Sequence, residues 1–162
     1  MGIGVFVLPA NILKCANRNR VVNSMGDGFI LRCEKCGTEH SYLQGIGFMY
    51  HSFLKRTKED VIKGKFGKEA QTFITENPDC DFDARNEVYL CPKCEYIKQG
   101  VDFRMKTVDK EYKKTYRCGK CKKAEMKPIK LDTMRQYERL SRVPCPKCND
   151  KGKKNIGMMM WD

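Results

Sequence analysis

The chain has 162 residues, of which 41% are hydrophobic and 32% charged, and a formal net charge of +12. That length allows one domain or two small ones, with a core too modest to carry the fold unaided. No run approaches the ~20 apolar residues of a membrane span. The first apolar stretch, Ile3 to Ala10, is broken by Pro9 and lacks the charged start and cleavage site of a secretory signal, so a cytoplasmic location is expected.

Residues 1–24 carry Lys14, Arg18 and Arg20, no acid, and no clear helical or strand period, although Ile3 to Leu8 is apolar enough to pair. Phe29 to Arg32 reads as a β-strand entering Cys33-x-x-Cys36, and Glu39 to Tyr42 as the return strand. Gly45-Ile46-Gly47-Phe48-Met49-Tyr50 lacks the further glycine and the Lys-Ser/Thr of a phosphate-cradling loop, and reads as packing. Ser52 to Lys65 then turns helical, with Phe53, Leu54, Val61 and Ile62 near one face. Lys68 to Glu76 predicts a second short helix stopped by Asn77-Pro78. Glu87 to Leu90 is a strand entering Cys91-x-x-Cys94. Leu131 to Leu140 suits a short helix, and Ile156 to Trp161 a final strand of a second ribbon.

Eight of the ten cysteines form four Cys-x-x-Cys pairs: 33/36, 91/94, 118/121 and 145/148. A two-residue gap lets one turn aim both sulfurs at a single ion, and four thiolates complete a tetrahedral zinc site, so two zinc ions are expected. Disulfides need an oxidising compartment, a rubredoxin-like iron site is the residual metal alternative, and a thioredoxin-like motif would need only one pair. Gly37 and Asn149 follow their knuckles and readily take the left-handed conformation, while Pro92 and Pro146 stiffen theirs. The lysines at 35, 93, 120 and 147 repeat one knuckle position, where they either screen the thiolates or form a solvated surface.

Spacing alone does not choose the pairing, because 23 residues separate Cys94 from Cys118 and again Cys121 from Cys145. Shorter loops favour the sequential choice: Cys33, Cys36, Cys91 and Cys94 at one ion, and Cys118, Cys121, Cys145 and Cys148 at the other. The alternative joins 91/94 to 118/121 and leaves 33/36 for 145/148. Cys15 and Cys80 read as ordinary thiols, and His40 and His51 as structural or surface residues. The expected fold is a small metal-stabilised α+β protein of two zinc ribbons with a helical insertion in the first. Its divisions would be a 1–24 extension, a first ribbon at 25–97 and a second at 98–162.

Each four-thiolate zinc site carries a net −2, so two sites reduce +12 to +8. Between Lys98 and Lys130 twelve Lys/Arg face four acids, and Phe103, Tyr112 and Tyr116 interleave with them. Aromatics on a basic β-surface suit stacking on single-stranded bases, which makes Arg104, Lys113, Lys114, Tyr116 and Arg117 candidate nucleic-acid contacts. A solvated hairpin with its aromatics turned into a thin core is the plainer reading.

Several segments, taken in order, resemble a group of small bacterial zinc-ribbon proteins with no established activity. They are Cys33-Glu34-Lys35-Cys36-Gly37, Gly45 to Tyr50, Tyr89-Leu90-Cys91, Pro144-Cys145-Pro146-Lys147-Cys148 and Met160-Trp161-Asp162. The resemblance spans Met25 to Asp162 and implies a cytoplasmic zinc protein. Glu95 departs from it, standing where glycine is expected. Members begin close to the first knuckle, so residues 1–24 are expected to precede the functional start or to form an extension; without them the zinc-loaded charge is +5. No Ser-His-Asp set, open histidine-containing metal site or convergent carboxylate pair is visible, so a binding module is expected rather than an enzyme. Its partner would be RNA or single-stranded DNA, or alternatively a protein.

Overall fold

The computed structural model describes residues 26–129 and 134–161. Expectations for residues 1–24, for Cys15 and for Leu131 lie outside them. Seven strands and three helices occur among the described residues, an α+β architecture. They are β1 (Gly26–Cys33), β2 (Glu39–Gln44), α1 (Tyr50–Ile62), α2 (Lys68–Glu76), β3 (Asp81–Leu90), β4 (Ile97–Lys106), β5 (Glu111–Lys113), β6 (Lys127–Pro128), α3 (Met134–Ser141) and β7 (Lys154–Trp161). No helix among them is long and apolar enough to cross a membrane.

The strands form two antiparallel sheets, ordered β2-β1-β7 and β5-β4-β3-β6. The last strand therefore pairs with the first, Cys33 opposite Lys154 and Gly26 opposite Trp161. It does not complete a separate second ribbon. Gly26 is required at that end of the sheet, because a Cβ there would sit 2.3 Å from the Trp161 ring. The Trp161 indole N–H donates to Asp27 O at 2.9 Å. The 97/98 division expected from sequence falls at the first residues of β4, inside the long β3–β4 hairpin.

The two sheets are sewn together by amides. Gly45 and Asn86 exchange backbone hydrogen bonds of 2.9 Å. The Gln99 side chain imitates a strand residue, accepting from Leu43 N–H at 2.7 Å and donating to Leu43 O at 2.8 Å. Between the sheets lies the first apolar cluster: Phe29, Leu31, Tyr42, Val88, Leu90, Ile97, Ile129, Leu140 and Val143. Alternation along β1 places Phe29 and Leu31 on that face, where each fully buried side chain contributes about 1.5–3 kcal/mol. The Phe29 ring stacks on its cross-strand partner Tyr42 at 5.1 Å.

A second cluster joins the helical hairpin to the far end of the β3–β4 sheet. Val61, Ala70 and Ile74 from α1 and α2 pack on Ala84, Phe103 and Met105. The helices follow the first knuckle in sequence, yet in space they belong to the second sheet rather than the first ribbon. Thr57 and Val61 form the buried face of α1, while Ile62 stays half exposed. The Gly45–Tyr50 segment is only partly packing: Gly47 is buried, but Phe48 is 75% and Met49 63% exposed.

Candidate metal centres

The structure overturns the sequential pairing. Cys33 and Cys36 meet Cys145 and Cys148, and Cys91 and Cys94 meet Cys118 and Cys121, with the four sulfurs of each group within 4.8 Å of one another. Magnitudes explain why shorter loops did not decide. Running from Cys36 to Cys145 instead of Cys91 doubles the loop, which costs only about 0.6 kcal/mol. Eight residue pairs between β1 and β7, with Phe29 and Leu31 buried beneath them, outweigh that several times over.

All four knuckles share one backbone device. Gly37 N–H donates to Cys33 O at 2.8 Å, Glu95 to Cys91 at 3.0 Å, Lys122 to Cys118 at 2.9 Å and Asn149 to Cys145 at 2.9 Å. Those four donors have φ of 68°, 57°, 56° and 57°, so each chain turns back in the left-handed region just after its second cysteine. The glycine missing at position 95 therefore leaves the turn intact, and Glu95 and Lys122 bear the roughly 1–2 kcal/mol that a side chain costs there. The first cysteine N–H then closes the loop onto Thr38 O, Tyr96 O and Asp150 O in three knuckles, and onto Ala124 O in the longer third one.

A tetrahedron with Zn–S of ~2.3 Å has S···S edges of about 3.8 Å. Cys33 and Cys148 stand 3.7 Å apart, Cys36 and Cys145 3.7 Å, Cys91 and Cys121 3.6 Å, and Cys94 and Cys118 3.5 Å. The first cysteine of every pair is buried and the second half-buried. Electrostatics also suits a cation. The Thr38 hydroxyl and N–H beside Cys36 lower its thiol to about 6. Burial opposes ionisation of Cys118, but the N–H groups of Cys121 and Lys120 prevail and lower it to about 6. Burial and the neighbouring sulfurs raise Cys94 to about 12, because four such thiols cannot all ionise without a metal between them. Both groups fit a tetrahedral metal ion.

Lys154 was not legible as a site residue. It is 3% exposed, donates from Nζ to Asp150 O at 2.8 Å and to Gly152 O, and so holds the loop leaving the fourth knuckle. Lys35 pairs with Asp150 at 3.6 Å, and Lys120 Nζ donates to Asn149 Oδ1 at 2.6 Å. This last contact joins a knuckle of one centre to a knuckle of the other. His40 lines a small space beside Cys33 and Cys145, with its Nε2 buried and unpartnered, and belongs to neither sulfur group. Cys80 is buried in the helical cluster, and His51 is an exposed residue of α1.

The five candidate nucleic-acid residues do not share one face. Arg104 and Lys113 line a cleft of about 210 Å³ with Arg85, Asp83, Asp102 and Glu111, three cations against three carboxylates. Lys114 donates to Phe66 O at 2.6 Å, and burial lowers its pKa. Tyr116 donates to Val101 O at 2.8 Å and packs its ring on Tyr89 at 4.8 Å. Arg117 is exposed beside Cys118. Comparison with protein-family models, with curated proteins and with solved structures finds no match, so the likeness to zinc-ribbon proteins rests on the two four-cysteine groups.

Proposed function

We propose that the chain is a structural zinc protein that serves as a binding module for single-stranded nucleic acid in a reducing, cytoplasmic setting. The two closed four-cysteine groups carry the zinc assignment: sulfur-only tetrahedra are the donor set zinc takes in structural sites. Four sulfurs fill every position of such an ion, so the role assigned to it is structural and no catalysis is proposed. The +8 that remains after both ions are counted supports a phosphate-bearing partner. Lys120, Lys122, Lys123 and Lys147, all exposed at the knuckles, are the surface proposed to meet phosphates, together with Arg117.

Binding of the zinc-loaded chain to a single-stranded RNA across a salt series tests this reading. A dissociation constant near or below ~1 μM with a steep salt slope is expected, and no binding at low salt would reject it. A second reading, a protein-interaction adaptor, is favoured by exposed Phe48, Met49, Met158 and Met160. A partner whose recovery survives high salt would support it.

A further inference from the structure

A cleft of about 180 Å³ opens where the second knuckle, β6 and α3 meet. Pro92, Pro128, Leu90 and Leu140 give it apolar walls, and Lys127, Gln136 and Arg139 supply its polar groups. It is smaller than the ~300 Å³ at which drug-sized pockets begin, and sized for a single ring system. Gln136 Oε1 is buried and has no hydrogen-bond donor among the described residues. Arg139 is exposed on the rim and pairs with no carboxylate among them, whereas nearby Lys127 is held by Glu125 at 2.9 Å.

We infer that this cleft receives one unpaired base of a single-stranded nucleic acid, whose phosphate meets Arg139. The proposal rests on the nucleic-acid reading above and gives it a site. The proline and leucine walls suit the faces of a base, and a turn of the half-buried Gln136 side chain toward the cleft brings its oxygen the N–H of a base edge. An aliphatic ligand would fill the walls but leave Gln136 and Arg139 unanswered. Pro92 lies between two metal ligands, Cys91 and Cys94, so the cleft keeps its shape only while that centre is intact.

The test uses the full zinc-loaded chain with an oligocytidylate strand and the same backbone carrying abasic positions. Wild type should prefer the base-bearing strand roughly tenfold. Gln136→Ala should lose most of that preference while keeping the salt slope, and Arg139→Ala should weaken both strands alike and lower the slope by about one. A Gln136→Ala variant that retains the full preference overturns the cleft and leaves the nucleic-acid reading standing. Wild type that binds neither strand at low salt overturns that reading, and the cleft with it. If Gln136→Ala fails to fold, the Gln136 side-chain amide signals of wild type, followed by NMR on adding cytidine monophosphate, decide instead. Shifted signals support the site and unmoved ones overturn it.

Discussion

The two metal centres use the same chemistry for different structural tasks. The 91/94/118/121 centre is local: 24 positions separate Cys94 from Cys118, and its sulfurs sit in a small cluster with Tyr89 and Met126. The 33/36/145/148 centre spans 109 positions from Cys36 to Cys145 and clamps the ends of β1 and β7, beside the apolar cluster between the sheets. A short clasp shapes one loop region, whereas a long one fixes which strands are neighbours. Closing the longer loop restricts the unfolded chain more, by about 1.3 kcal/mol.

The largest expected effect comes from removing metal. Structural zinc is worth ~10–16 kcal/mol of folding free energy in small domains, so a strong chelator should unfold the chain, followed by circular dichroism. Breaking one centre at a time sharpens the contrast. Cys145→Ser should lower the urea midpoint more than Cys118→Ser, and limited proteolysis should cut near β7 in the first and near residues 107–127 in the second.

Phe29→Ala, beneath the long clasp, should cost about 3–5 kcal/mol in urea unfolding even with both metal centres filled. Lys154→Ala removes the side-chain donor to Asp150 O and Gly152 O beside the same centre and leaves Asp150 O only the Cys145 N–H. It should cost about 1–3 kcal/mol and speed metal loss to a chelator, with the other centre unaffected. The smallest effects lie in the turns. Glu95→Gly should stabilise by about 1 kcal/mol, and Gly37→Ala should destabilise by a similar amount. No atom lies within 4 Å of a Cβ added at Gly37, so that loss would be conformational alone.

Local structure was legible where one short segment decides it. The α2 bounds at Lys68 and Glu76 match the sequence reading, as do the strands flanking the first knuckle, and the left-handed turns at Gly37 and Asn149 were expected from residue type. Glu95 and Lys122 take the same conformation against their own preference, because the knuckle hydrogen bonds hold it. The partnering of the cysteine pairs was not legible, since two equal gaps of 23 residues cancel the local argument. What decides it is the register of β1 on β7, a contact between distant segments. For the same reason the partners of Lys114 and Tyr116, read as candidate nucleic-acid contacts, were not legible. Only the fold brings Phe66 O and Val101 O to them.

The cross-pairing of the four cysteine pairs is tested most directly by loading the chain with ¹¹³Cd and correlating each metal signal with cysteine β-protons. One metal should correlate with Cys33, Cys36, Cys145 and Cys148, and the other with Cys91, Cys94, Cys118 and Cys121. A single metal correlated with both Cys33/Cys36 and Cys91/Cys94 would contradict the account.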